Sequence, residues 1–133
     1  WLEPAALKLD YQILYFRALQ EREGYLQLEV NHRSGRSAWV PAHELTLFTW
    51  PAFFVMVHSV EAADPATNPL RQAPATDAEP ATGLPADYLL RPLNLQDEWM
   101  EVQIMGRDYQ KQGKAWLRWR DEQGLLVTYN LLS

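Results

Sequence analysis

Two segments of the chain repeat one short pattern, and this repeat strongly limits the folds open to it. The first copy runs from residues 25–30 through a polar loop to residues 35–45, which read GRSAWVPAHEL. The second runs from residues 99–105 through another polar loop to residues 113–117, which read GKAWL. Polar and apolar residues alternate in both copies, and a period of two is typical of strands with one buried face. The repeat therefore predicts two β-hairpins, each with Ala-Trp-apolar in its returning strand.

Composition excludes several classes of protein. A chain of 133 residues, 47% of them hydrophobic, suits one ordinary domain or two very small ones that share a core. A net charge of −5 argues against binding to nucleic acid or to anionic lipid, since both need a basic surface. The absence of Cys excludes disulfides, thiol catalysis and thiolate metal sites. The longest apolar stretch, residues 51–57, is far shorter than the roughly 20 residues of a membrane-spanning helix, so we expect no integral membrane segment.

The other segments predict further strands. Residues 7–15 alternate with a period of two, although a helical face also fits them. Residues 53–57, FFVMV, form a continuous apolar run, which is typical of a strand covered on both faces. Near the end of the chain, residues 115–120 and 125–129 predict a pair of strands joined by a turn at residues 121–124.

Residues 61–92 have a different composition. They hold six of the nine prolines, many alanines and few large apolar side chains. Composition alone indicates a disordered linker between two domains.

The repeated pattern resembles the bacterial SH3 (SH3b) family. In that family, a strand that opens with an aromatic residue precedes a polar loop, a Gly-Lys/Arg-x-Gly-Trp-Val element and a short turn ending in Leu. Residues 35–45 match this element, with Ala38 where Gly is usual. Residues 68–80, NPLRQAPATDAEP, are similar to the Asn-x-Arg-x-x-Pro opening of such domains. The resemblance implies that residues 61–92 are the long ordered loop of a second barrel rather than a linker.

The resemblance implies an all-β fold of two small SH3-like barrels in tandem, packed against each other. We place the first barrel at residues 1–52, with an incomplete N-terminal part, and the second at residues 53–133, with the Pro-rich loop and an extra hairpin. The first copy has no recognisable opening motif, and the second inserts RWRDEQGLLVTY where the family passes directly to its short turn. A Trp side chain buries on the order of 150–250 Å², so we expect Trp39 and Trp116 to fill the two interiors or to cover one end of each barrel. The alternative is that these side chains contact a ligand directly.

The sequence offers no recognisable catalytic machinery. The three histidines lie in separate segments without a His-Glu-x-x-His motif, so we expect no metal site and no cofactor. The carboxylates lie in polar turns, whereas an acid–base pair needs one carboxyl group in apolar surroundings that raise its pKa. Ser34 and Ser37 lack the Gly-x-Ser-x-Gly context of a nucleophile. We therefore expect a protein that is not an enzyme.

Aromatic residues interleaved with arginine indicate a candidate binding surface in the second half. Alternation along residues 115–120, AWLRWR, puts Trp116, Arg118 and Arg120 on one face and Leu117 and Trp119 on the other. Such residues are typical of interfaces and stack on peptides and sugars. The alternative is that the arginines only cover the barrel while Trp119 belongs to its core. The predicted ligand-binding residues are Trp99, Tyr109, Trp116, Arg118, Trp119 and Arg120.

Two functions fit these observations. The resemblance implies a binding module of the bacterial envelope, periplasmic or secreted, that engages peptidoglycan fragments or peptides, as an accessory to a wall hydrolase for example. The alternative is a structural module for protein–protein interaction or self-association, such as a homodimer, without a small ligand. The chain starts at Trp1 rather than at Met, which leads us to expect residues upstream of it, either a cleaved signal peptide or a trimmed segment.

Overall fold

The computed structural model describes residues 6–8, 13–31 and 33–131 of the chain. Strands predominate in this part, and helix is limited to α1 (Trp50–Phe54) and a 3-10 helix at Ala42–Glu44. The strand pairs are antiparallel throughout. The all-β class predicted from the alternating segments is therefore confirmed.

The chain divides into two compact units, Trp1–Leu47 and Phe48–Ser133. The division precedes α1, so this helix belongs to the second unit. The sequence predicts a boundary slightly later, after Ala52.

Two antiparallel sheets form the first unit. The smaller one is a hairpin of β1 (Ala6–Lys8) and β2 (Ile13–Tyr15). The larger one is a three-stranded meander of β3 (Arg17–Arg22), β4 (Tyr25–Asn31) and β5 (Arg36–Pro41), with β4 in the centre. Over its described residues, the segment 7–15 is thus two short strands instead of the single strand predicted.

One face of the larger sheet forms the core of the first unit. Leu26, Leu28 and Val30 lie on alternate positions of β4 and are at most 6% exposed. The alternation of the sequence therefore predicts correctly which side chains of β4 are buried. The residues that pack against these three side chains are Phe16, Ala38, Val40, Ala42 and Leu45.

Trp39 lies on the opposite face of this sheet. Its neighbours Ala38 and Val40 are the cross-strand partners of Leu28 and Leu26, so both belong to the core face. Successive side chains of a strand point to opposite faces, and the indole of Trp39 is accordingly 42% exposed. The prediction that Trp39 fills the interior is wrong, because Ala38 and Val40 lie on the core face of β5 and Trp39 lies on the other face.

A five-stranded antiparallel sheet forms the centre of the second unit. The strands of this unit are β6 (Ser59–Ala62), β7 (Tyr88–Gln96), β8 (Trp99–Gly106), β9 (Lys111–Arg118), β10 (Arg120–Asp121), β11 (Gly124–Leu125) and β12 (Val127–Asn130). Their order in the sheet is β12-β6-β7-β8-β9, so the last strand pairs with the first. In the described part of the chain no pairing joins β9 to β12, and the sheet is not a closed barrel. A separate hairpin of β10 and β11 follows β9.

The second core lies on one face of β8 and β9. Met100, Val102 and Leu117 are fully buried, and Ala115 is 2% exposed. Trp116 lies between Ala115 and Leu117, so its side chain belongs to the other face and is half-buried. The prediction that Trp116 fills the interior is therefore wrong for the same reason as for Trp39.

Residues 53–57 do not form the predicted strand, because α1 begins just before them. The Oγ1 atom of Thr49 accepts a hydrogen bond from the backbone N–H of Ala52 at 3.3 Å, which caps the helix. Pro51 lies in the first turn, where its missing N–H is not needed. The N-cap and the proline favour the start of a helix, whereas the apolar run by itself is compatible with a strand or a helix.

The short helix α1 supplies two aromatic side chains to the second core. Phe53 is 6% exposed and Phe54 is fully buried. The ring of Phe53 meets Tyr129 edge to face at 4.9 Å, and that of Phe54 meets Trp119 at 5.7 Å. Aromatic pairs at these distances stabilise a core beyond the area that they bury.

The Pro-rich segment between β6 and β7 is an ordered loop, which we call the Pro-rich loop (residues 63–87). Leu70 is 7% exposed. The backbone N–H and C=O groups of Arg71 form reciprocal hydrogen bonds with those of Trp116, both at 2.8 Å. The side-chain amide of Asn68 donates to the carbonyl of Arg118 at 2.8 Å. The loop therefore covers the outer edge of β9.

The hairpins β4–β5 and β8–β9 have the same register. In both, the tryptophan lies opposite a polar residue and the preceding alanine lies opposite a core residue. The partners are Trp39 with Gln27 and Ala38 with Leu28 in the first unit, and Trp116 with Glu101 and Ala115 with Val102 in the second.

The equivalence extends to the strands that precede these hairpins. Leu19 in β3 and Leu93 in β7 are each the additional residue of a β-bulge. Four residues after each leucine, Glu23 and Asp97 open the following turn with φ angles of 52° and 54°. The two three-stranded meanders therefore share register, bulge and turn, although the sequence predicts only their hairpins.

Candidate binding surface

The outer face of β8 and β9 carries a compact group of aromatic and charged side chains. Trp99 is the cross-strand partner of Arg118, and Glu101 is the partner of Trp116. All four side chains are half-buried, and we call them the β8–β9 patch. Trp99 and Trp116 are diagonal neighbours, which places them about 7–8 Å apart in a sheet. Both indoles can therefore contact one ligand.

The backbone beneath the patch is fixed on both sides. β8 pairs with β9 along one edge. Along the other edge, the Pro-rich loop bonds to Trp116 through Arg71 and to Arg118 through Asn68. The patch is thus held by a rigid backbone, which lowers the entropy that binding would cost.

The guanidinium group of Arg118 is held by Glu98. Its Nη2 and Nε atoms donate to the same carboxylate oxygen of Glu98, at 2.6 and 3.2 Å. The side chains remain 32% and 39% exposed, respectively. Arg118 therefore presents an oriented planar cation at one end of the patch while keeping part of its surface accessible.

Trp119, which the sequence includes among the binding residues, does not belong to this surface. Its side chain is 1% exposed, and its indole N–H donates to the carbonyl of Asp97 at 2.9 Å. The guanidinium carbon of Arg120 lies 4.5 Å from the centroid of this ring. Trp119 is thus a core residue, and Arg120 is an exposed side chain that covers it.

Tyr109 also lies away from the patch. It is 54% exposed in the turn after β8, with a φ angle of 61°. Trp99 begins β8 and Gly106 ends it, which separates the two aromatic residues by about 20 Å along the strand. Its ring meets that of His58, with ring centroids 6.3 Å apart. The structure therefore brings together Trp99, Trp116 and Arg118 but not Tyr109.

The first unit contains an aromatic pair that the sequence does not predict as a site. Tyr25 and Trp39 occupy the positions equivalent to Trp99 and Trp116, since Tyr25 pairs with Pro41. They are 48% and 42% exposed. The guanidinium carbon of Arg22 lies 5.9 Å from the Trp39 ring centroid. The alternation of β5 could have identified this surface. Ala38 pairs with the core residue Leu28, so the next residue, Trp39, belongs to the outer face.

The β8–β9 patch and the Tyr25–Trp39 pair can both bind a ligand by aromatic stacking and by hydrogen bonding. Aromatic planes contact the apolar faces of sugars and peptide groups, and arginine and carboxylate groups bind the polar substituents. Among the residues that the structure describes, no three His, Asp or Glu side chains lie where they could hold a metal ion together. Within the same residues, no helix has the length and apolar composition to cross a membrane.

No protein-family model, curated protein or solved structure matches the chain.

Proposed function

We propose that the chain is a non-catalytic, SH3-like binding module of the bacterial cell envelope, periplasmic or secreted. It engages peptidoglycan or peptide ligands through the β8–β9 patch. Trp99 and Trp116 supply the stacking surfaces, and Arg118 supplies the cation.

The topology of the second unit supports the SH3-like part of this proposal. Pairing of β12 with β6 brings the two ends of the unit together, as a small barrel requires. The Pro-rich loop contains residues 68–80, which are similar to the family's opening motif. Asn68 and Arg71 of that motif attach the loop to β9. In the first unit, the 3-10 helix Ala42–Glu44 occupies the place of the family's short turn.

The recurrence of an outer aromatic pair is the observation that carries the binding function. The core of each unit is filled by residues on the other face of the sheet. The outer positions could therefore be occupied by any polar strand residue. Both units instead place two aromatic side chains at the same diagonal positions. Aromatic residues on a solvent-facing surface are typical of sites that contact a partner.

The composition of the β8–β9 patch favours a ligand with both rings and charges. Indole planes stack on the apolar faces of sugar rings or on peptide groups. The oriented guanidinium of Arg118 suits a carboxylate, such as those of a peptidoglycan stem peptide. Glu101, a neighbour of both indoles on this face, can accept hydrogen bonds from hydroxyl or amide groups.

A titration with soluble peptidoglycan fragments tests this proposal. The indole N–H signals of Trp99 and Trp116 should shift in a heteronuclear NMR spectrum as disaccharide-peptide is added. The signal of Trp119 should not move, because this indole is buried and bonded to Asp97. Tyr109→Ala is the matched control and should leave the titration unchanged. Absence of shifts at millimolar fragment concentrations contradicts the proposal.

Self-association is the second candidate function. Several large apolar side chains outside the patch are well exposed, among them Leu47 at 61% and Val55 at 65%. Apolar side chains at a surface are what an interface between copies would cover. Sedimentation analysis distinguishes the two functions. A stable dimer that persists in the absence of fragments, together with an unperturbed patch in the titration, supports self-association.

A further inference from the structure

The second unit contains a cleft in addition to the β8–β9 patch. This cleft of about 320 Å³ opens between β6, the beginning of β7 and the Pro-rich loop. Its floor consists of side chains that are at most 7% exposed, namely Val60, Leu70, Leu90 and Leu117. None of the four patch residues lines it.

The cleft exists because β6 and β7 separate. In the described part of the chain, a single residue pair, Val60 with Leu90, joins the two strands. Beyond this pair, residues 61–62 and 88–89 line opposite sides of the cleft. Their main-chain groups on the facing sides are not used in a ladder between β6 and β7. Such strand ends can bond to an extended peptide, as sheets do when they accept an additional strand.

The residues that line the cleft favour a ligand with an aliphatic side chain. Leucine, valine, alanine and proline dominate the lining, which also includes Tyr88, 39% exposed. Ser59 and Asn130 are polar members of the lining, and the side-chain amide of Asn130 donates to the hydroxyl of Ser59 at 3.4 Å. Among the described residues, Glu61 is the one charged side chain that lines the cleft, and it is exposed.

The net negative charge around the cleft favours a cationic ligand. Residues 48–133 contain seven Lys or Arg and eleven Asp or Glu. Residues 59–90, which form most of the cleft, contain one Arg and five Asp or Glu. One of these carboxylates, Asp87, forms an ion pair with Arg107, which leaves a net charge of −3 on this side of the unit. The single Arg of residues 59–90, Arg71, donates to the carbonyl of Ala78 within the Pro-rich loop. An approaching cationic ligand is therefore attracted to this side of the unit.

We propose that this cleft binds an extended cationic peptide, which inserts one aliphatic side chain between β6, β7 and the Pro-rich loop. A Lys or Arg next to the inserted residue lies against Glu61. The site is independent of the β8–β9 patch and of any peptidoglycan binding there.

Three pentapeptides with blocked termini test the chemistry of the site. KVKVK carries both the anchor and the cations, KSKSK lacks the anchor, and EVEVE reverses the charge. Titration of KVKVK into the full chain should give saturable amide shifts at residues 60–62 and 88–90, at about millimolar concentrations as expected for a short peptide. KSKSK and EVEVE should give no saturable shifts there. Equal binding by either control peptide overturns the proposal.

Two pairs of variants test the location. Ala81→Phe places a ring inside the cleft and should abolish the KVKVK shifts, whereas Ala73→Phe, at an exposed position of the same loop outside the lining, should leave them intact. Glu61→Gln should weaken KVKVK binding about twofold to fivefold, as loss of an exposed ion pair does. Glu79→Gln, which lies outside the lining, should not. Unchanged binding by Ala81→Phe, or equal affinities of the two Gln variants, overturns the proposal.

Discussion

The replacement of Trp119 by Phe, compared with the same replacement at Trp116, separates a core indole from a surface indole. Trp119 is 1% exposed, contacts the ring of Phe54 and donates its indole N–H to the carbonyl of Asp97. Phe at this position removes ring atoms from a filled core and leaves the carbonyl of Asp97 without this donor. Trp116 is half-buried on the outer face, so the same change there leaves no enclosed cavity.

The expected difference follows from these contacts. Removing part of a ring from a core that collapses only partly costs about 1–2 kcal/mol. Loss of the hydrogen bond to Asp97 adds about 1 kcal/mol. Trp119→Phe should therefore lower the free energy of unfolding by about 2–3 kcal/mol, a large part of the usual 5–15 kcal/mol of a domain. Trp116→Phe should cost less than about 1 kcal/mol.

Urea unfolding measures this difference. The amide signals of β8 should be followed, because two units need not unfold together. With a urea dependence of about 1–3 kcal/mol per M, Trp119→Phe should lower the midpoint by about 1 M or more. Trp116→Phe should lower it by well under half of that amount. Equal shifts, or a larger shift for Trp116→Phe, would show that the assignment of the two faces is incorrect.

Three further substitutions test other parts of the structure. Leu70→Ala should cost about 2–3 kcal/mol and accelerate hydrogen exchange of the Trp116 amide, which donates to Arg71; unchanged exchange contradicts the role of Leu70. Gly24→Ala should cost about 1–2 kcal/mol, as measured by thermal unfolding of the first unit. Its φ angle is 82° and an added Cβ meets nothing within 4 Å, so backbone strain alone is tested. Glu98→Gln should cost less than about 1 kcal/mol but release the Arg118 side chain, seen as faster exchange of its Nε proton.

The sequence predicts the parts of the fold in which alternation and burial coincide. β4 alternates because one face of it is buried, and in β8 burial alternates over residues 99–102 but continues on both faces after Val102. β3 was missed because all six of its residues are exposed, so no apolar period marks it. At residues 53–57, the apolar run alone could not distinguish strand from helix, whereas Thr49 and Pro51 were local signals for a helix start.

The candidate site was predictable only in part. Alternation correctly places Trp116 and Arg118 on one face, since both follow from the period of β9. The burial of Trp119 depends on its contact with Phe54, which lies 65 residues earlier in the chain and which no local pattern indicates. The exposure of Trp39 was available from the phase of its neighbours, but the size of the indole favoured a core position instead.

The cleft beside β6 could not be predicted from the sequence. Its shape depends on how far the β6–β7 pairing extends and on the course of the Pro-rich loop, which bonds to β9. The acidity of residues 59–90 was visible, but only the structure shows that these residues surround a cleft.

Co-sedimentation with purified peptidoglycan sacculi tests the central claim most directly, namely that the outer aromatic pair serves binding rather than folding. The double variant Trp99→Ala/Trp116→Ala is compared with the unmodified chain and with Tyr109→Ala. The affinity of the double variant should fall more than about tenfold, as for loss of aromatic hot spots, while the amide signals of its core residues stay dispersed. Tyr109→Ala should bind as the unmodified chain does. Undiminished binding by a folded double variant would contradict the account.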